Sequence, residues 1–122
     1  MTESPHKGKT GMRRLYNATR YSLDGIRSAI AHEDSFRQEL IIAAILVPLG
    51  LWLGATGVEK ALLVASVLMV LVVELLNTSI EAAVDRISLE DHRLAKRAKD
   101  IGSAAVMIAL LACGAVWLLV LY

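Results

Sequence analysis

The chain has 122 residues, a formal net charge of +1, 56% hydrophobic residues and 20% charged ones. A soluble domain carries roughly 25% charged and about 45–50% apolar residues, and the apolar excess here is unevenly spread: Leu40–Leu53, Ala61–Val73 and Ile101–Tyr122 contain no Asp, Glu, Lys or Arg. A disordered chain, a collagen-like repeat and a disulfide scaffold are excluded, an ordinary soluble globule is disfavoured, and a near-neutral balance leaves no basic field to hold nucleic acid.

In chain order, residues 1–10 read as a disordered tail. Over 12–31, Leu15, Thr19, Leu23, Ile26 and Ile30 recur on one side while Arg13, Arg20, Asp24 and Arg27 fall mostly on the other. That pattern predicts an amphipathic helix, able to lie in the membrane interface or on the protein's own cytoplasmic ends. Ser35 and Gln38 read as a capping box opening a first span over 36–56. Pro48 and Gly50 within it are tolerated in a membrane helix, and Gly50-Leu-Trp-Leu-Gly54 matches a small-xxx-small packing pattern. A second helix is expected over 60–85. Ser88 and Asp91 suggest the cap of a third long helix over 89–121, whose segment Ile101–Tyr122 is long enough to cross a ~30 Å hydrocarbon core. The expected architecture is all-α: a single membrane domain over 1–122, with one surface helix and three transmembrane helices.

Loop charges set the orientation. Lys7, Lys9, Arg13, Arg14, Arg20, Arg27 and Arg37 precede the first span, Lys60 is alone in the first connection, and Arg86, Arg93, Lys96, Arg97 and Lys99 follow the second span. The positive-inside rule then predicts the N-terminus and second connection in the cytoplasm, with Tyr122 on the far side of the membrane. The first 35 residues lack an apolar core region, so no cleavable signal peptide is expected. Cys113, the single cysteine, reads as a small hydrophobe on a helix. Gly8-Lys9-Thr10 resembles the end of a phosphate loop but follows no strand, and Glu3 occupies the required glycine position.

The second span holds the chemistry. Glu74, Asn77, Glu81 and Asp85 are spaced 3, 4 and 4 residues apart and share one helix face. A carboxylate at mid-span costs roughly 2.5–3.5 kcal/mol on insertion scales, so acids there require a reason. Glu33 and Glu39 flank the start of the first span; Lys96, Lys99 and Ser103 recur at the entry of the third, with Asp100 adjacent. Acids suited to Mg²⁺ and a lysine suited to phosphate would thus meet at the bilayer surface. Mg²⁺ takes one or two carboxylates plus substrate phosphate oxygens, which points to phosphoryl transfer onto something resident in the membrane.

Three stretches carry a family resemblance: Glu33-Asp-Ser-Phe-Arg-Gln-Glu39, Glu74-Leu-Leu-Asn-Thr-Ser-Ile-Glu-Ala-Ala-Val-Asp-Arg86 and Ala98-Lys-Asp-Ile-Gly-Ser-Ala104. Through them the chain resembles the prokaryotic diacylglycerol kinases, small integral-membrane lipid kinases, over roughly Gly11 to Trp117. The resemblance implies a homotrimer with active sites between neighbouring subunits. It implies that ATP, with Mg²⁺ as cofactor, phosphorylates a membrane lipid. Glu74 would be the general base and Asn77 would position the reacting groups. Glu33 and Glu81 would hold the metal. Lys99 would contact the phosphates, with Asp100, Glu90, Asp91 and His92 around the nucleotide. Arg14 and Tyr21 match positions near ATP or lipid, and Trp52 and Ser103 match lipid-proximal ones. Thr19 and Asp24 stand where the family pattern has a small and a basic residue. Glu39 is open between a substrate contact and a helix-packing partner.

The resemblance leaves a sister activity, phosphorylation of undecaprenol, as the alternative. A small channel or transporter subunit is a more distant one. It would need polar groups across the whole membrane, whereas Ala61–Val73 offers only Ser66.

Overall fold

The computed structural model describes residues 11–87 and 92–122. They form four helices: α1 Gly11–His32, α2 Asp34–Leu53, α3 Gly57–Ile87 and α4 His92–Leu121. The expected tail over 1–10 and the capping residues Ser88 and Asp91 lie outside the described residues. Three of the helices (α2, α3 and α4) are long and apolar enough to cross a membrane.

α1 forms one unit by itself, and Glu33–Tyr122 forms a second. Within α1, the hydroxyls of Thr19 and Ser22 donate to the carbonyls of Leu15 and Ala18, each at 2.9 Å. These back-bonds let polar side chains sit mid-helix without competing for the backbone. Asp24 and Arg27 pair at 3.3 Å on its exposed surface.

α2 starts earlier than the Ser35 cap predicts. Glu33 takes an extended backbone (φ −123°, ψ 108°) and is the N-cap, and the Arg37 amide already closes the first turn on the Glu33 carbonyl at 3.1 Å. Ser35 therefore lies inside the helix. Asp34 stands in the first turn, where the helix dipole favours an acid, and it pairs with Arg37. The other end comes earlier too. Gly54 is the C-cap, its amide bonded to the Gly50 carbonyl at 3.0 Å. A Cβ on Gly54 would lie 2.8 Å from the backbone nitrogen of Lys60, so only glycine lets the chain turn this tightly into α3. The turn is closed by a capping pair: Thr56 Oγ1 accepts from the Glu59 amide at 3.1 Å, and Glu59 Oε1 accepts from the Ala55 amide at 3.2 Å. Thr56-Gly-Val-Glu59 is thus a capping box in the sequence.

α3 is the centre of the second unit, packing against both α2 and α4. At 31 residues it is about 46 Å long, well beyond a ~30 Å hydrocarbon core. Its buried residues are Leu63, Val67, Val70 and Glu74, spaced so that they form one stripe. At one end of that stripe three helices meet. Leu63 is fully buried, and a Cβ on Gly50 of α2 would come within 3.1 Å of Leu63 Cβ and 3.5 Å of the Trp117 ring. The indole N–H of Trp117 donates to the Leu63 carbonyl at 3.2 Å, which also accepts from Ser66 Oγ at 2.9 Å. In lipid such close packing and interhelical hydrogen bonding supply the association that the hydrophobic effect cannot. The two glycines of the Gly50/Gly54 pattern therefore differ: Gly50 packs helices, and Gly54 makes a turn.

Candidate functional site

The buried stripe of α3 changes character at Glu74. Above it the stripe is aliphatic; from Glu74 it continues through Asn77 and Glu81, both half-buried. Glu74 itself is only 5% exposed. Hydropathy would place another Leu or Val here, so packing alone does not account for this residue.

Two neighbours meet the stripe from α2. The carboxyl group of Glu39 lies within hydrogen-bonding reach of that of Glu74. Glu33 sits at the N-terminus of α2 and makes no side-chain capping bond, which leaves its carboxylate untied to its own helix. The charges of Glu33, Glu74 and Asp85 all act on the Glu81 carboxylate, and Lys99 opposes them. Acids gathered near a helix C-terminus also face the negative end of its dipole. The electrostatics of this end favour a cation.

α4 supplies one. Lys99 Nζ bonds Asp85 Oδ1 at 2.6 Å and joins α4 to the end of α3. Gly102, one turn further on, is buried, and a Cβ there would collide with Asn77 Oδ1. Glycine at this point brings the α4 backbone against the polar stripe. Among the described residues, Glu39 Oε2, Glu74 Oε2 and Asn77 Oδ1 are buried oxygens of this region with no hydrogen-bond partner. Buried acceptors without donors are costly, and they mark the place where a ligand hydroxyl or a proton has most to offer.

The sequence-predicted residues divide as follows. Glu33, Glu74, Asn77, Glu81 and Lys99 come together at one end of the α2–α4 unit. Asp100 does not join them: it is exposed and bonded to Lys96 at 2.6 Å, so the two lysines part, Lys99 to α3 and Lys96 to its own helix. Ser103 is exposed. An open groove of about 430 Å³ along the start of α4 is lined by Arg93, Lys96, Arg97, Asp100, Ile101 and Ala104. Trp52 is 77% exposed in the last turn of α2, about 28 Å along that helix from Glu33, far from the acids. Arg14 and Tyr21 lie in the other unit, where with Asn17 and Ala18 they line one side of α1. His92 opens α4, while Glu90 and Asp91 lie outside the described residues. Among the described residues no three His, Cys, Asp or Glu side chains converge tightly enough to hold a metal ion unaided.

Sequence reasoning named no role for Gly102 or Asp85 and left that of Glu39 open. The signal for Gly102 was present as a glycine in the interior of the helix predicted over 89–121, where it is costly unless packing requires it.

Comparison with known proteins gives a consistent answer. The family model described as prokaryotic diacylglycerol kinase matches residues 20–121. The diacylglycerol kinase of Pseudomonas aeruginosa is 47% identical over 121 residues, covering 99% of this chain and 98% of the relative. That of Haemophilus influenzae is 51% identical over 108 residues, covering 88% and 92%. That of Escherichia coli K12 is 43% identical over 113 residues, covering 93% of each.

Proposed function

The chain belongs to the prokaryotic diacylglycerol kinase family, and from that premise we propose that it transfers the γ-phosphoryl group of ATP to the free hydroxyl of a diacylglycerol. The product is phosphatidic acid, made at the cytoplasmic face of the bacterial inner membrane. The observation that carries this reading is the convergence of Glu33, Glu74, Asn77, Glu81 and Lys99 at one end of an apolar three-helix unit. Diacylglycerol kinase activity in relatives that align over nearly the whole chain supports it.

Glu74 is the general base. Its burial beside apolar Val70 brings a carboxylate to the depth of a lipid hydroxyl, and its unpartnered Oε2 is an acceptor for that proton. Loss of the proton makes the oxygen a nucleophile toward the γ-phosphorus. Asn77, one turn away with a free Oδ1, orients the same hydroxyl. Lys99 reaches the ATP phosphates, exchanging part of its pairing with Asp85 for them. Arg14, Tyr21, Glu90, Asp91, His92 and Asp100 belong to the nucleotide side, and Trp52 and Ser103 to the lipid side.

Glu33 and Glu81 would hold Mg²⁺. The donor set fits that ion: a pair of carboxylates, too few to cage a metal alone, leaves coordination sites for phosphate oxygens, as Mg²⁺ prefers. When bound, the ion offsets the negative charge of the phosphates during transfer.

α1 carries apolar residues along one side and lies in the membrane interface. Three copies of the chain assemble with active sites between subunits, which supplies walls that one three-helix unit lacks; α4 offers a broad exposed apolar surface for such contact, including Met107, Ile108 and Leu111.

The test is purified protein in lipid with ATP, given a diacylglycerol or undecaprenol, with and without Mg²⁺. Phosphorylation of the diacylglycerol only in the presence of Mg²⁺ is expected; turnover of the polyprenol alone would replace this substrate assignment. Glu74→Gln is expected to abolish turnover with folding intact.

A further inference from the structure

The role of Glu39 follows from its place on the fold. On α2, Phe36 and Ala43 are buried, and Glu39 lies between them at helical spacing, on the face turned toward α3. Among the described residues, Arg37 pairs with Asp34, Lys99 with Asp85 and Lys96 with Asp100. Glu39 and Glu74 therefore face each other, each with a buried oxygen that no donor reaches. Glu81, about two turns further along α3, adds further negative charge toward Glu74. Two ionised carboxylates in this position would repel in a medium of low dielectric. One proton between them satisfies both, since a protonated carboxyl is a donor and an ionised one only an acceptor.

We propose that Glu39 is a positioning residue, which donates this proton as a hydrogen bond to one oxygen of Glu74 and aims the other oxygen at the lipid hydroxyl. The inference rests on the reading of Glu74 as the base. In each turnover the hydroxyl proton passes to Glu74 and the lipid oxygen bonds to the γ-phosphorus. The bond from phosphorus to the bridging oxygen breaks, its electron pair leaving on ADP. Glu74 then returns its proton to water. Glu39 keeps its own proton throughout.

The experiment compares Glu39→Gln, Glu39→Ala and Glu74→Gln in the purified full-length protein in lipid, by steady-state kinetics and by infrared spectroscopy of glutamate-labelled protein with chelator present. Glu39→Gln retains an N–H donor and should keep kcat within about 3-fold of the parent. Glu39→Ala should lower kcat about 100-fold, the scale of a misaligned reacting group, with both KM values within about 2-fold. The parent spectrum should show a protonated carboxyl band at neutral pH that Glu39→Gln removes. A raised lipid KM with unchanged kcat in Glu39→Ala would make Glu39 a substrate contact and overturn the proposal. So would a Glu39→Gln variant as impaired as Glu39→Ala, or a parent spectrum without the band, a measurement that holds even where a variant fails to fold. Retained turnover in Glu74→Gln would instead overturn the base assignment, and is read separately.

Discussion

The side-chain oxygen of Asn77 on α3 occupies the space where a Cβ on Gly102 of α4 would stand. This tight approach of α4 to the polar stripe occurs one turn after Lys99, the residue that links the two helices by charge. Substitution Gly102→Ala must displace Asn77 or separate the helices. We expect a loss of about 1–3 kcal/mol in stability, typical of overpacking, and at least a 10-fold fall in kcat. Adding Asn77→Ala should restore much of the stability and none of the turnover. Thermal unfolding in detergent and a kinase assay on the single and double variants measure both.

The Asp85–Lys99 pair is short but its side chains are 64% and 41% exposed. Exposed pairs contribute roughly 0–1 kcal/mol, so the pair matters little for stability. Lys99→Met should shift the melting temperature by only a few degrees while raising KM for ATP about 10-fold or more. A large melting shift with unchanged KM would assign Lys99 to structure alone.

Glu33 and Glu81 repel one another in the absence of a cation. In Glu33→Gln and in Glu81→Gln the Mg²⁺ concentration for half-maximal rate should rise, and added Mg²⁺ should recover part of the rate. The same substitutions relieve repulsion in the metal-free protein, so its thermal stability should hold or increase. Titrating Mg²⁺ in the assay and melting the chelated protein separate the two effects.

At the opposite end of the unit, Trp117 donates to the Leu63 carbonyl and packs near Gly50. Trp117→Phe should cost about 1 kcal/mol for the lost hydrogen bond. Gly50→Ala forces a contact of 3.1 Å with Leu63 and should also destabilise. Both variants should keep KM for ATP unchanged, since the acids lie at the other end of α3. A rise in that KM would show that strain at this junction reaches the nucleotide site.

The places where local signals misjudged the chain have physical explanations. Ser35 looked like a cap because Ser-x-x-Gln fits the pattern, but Glu33 took the extended backbone and the helix started behind it. Thr56 and Glu59 formed the capping box that the turn required. Lys96 and Lys99 stand three apart, close enough to share a face in the sequence, yet their partners lie on different helices, Asp100 and Asp85. Spacing along one helix cannot say which neighbour a long side chain will choose.

By itself the sequence determined that the chain is helical and membrane-bound in character, because charge-free runs of this length have no other stable setting. It also determined that Glu74, Asn77 and Glu81 share a face, since helical periodicity is local. The tertiary structure alone decided which face was buried, that Glu39 meets Glu74 across the helix pair, and that Gly102 admits α4 to Asn77. Those relations join residues 35 and 25 positions apart in the chain. They arise from how helices pack, and no local pattern encodes them.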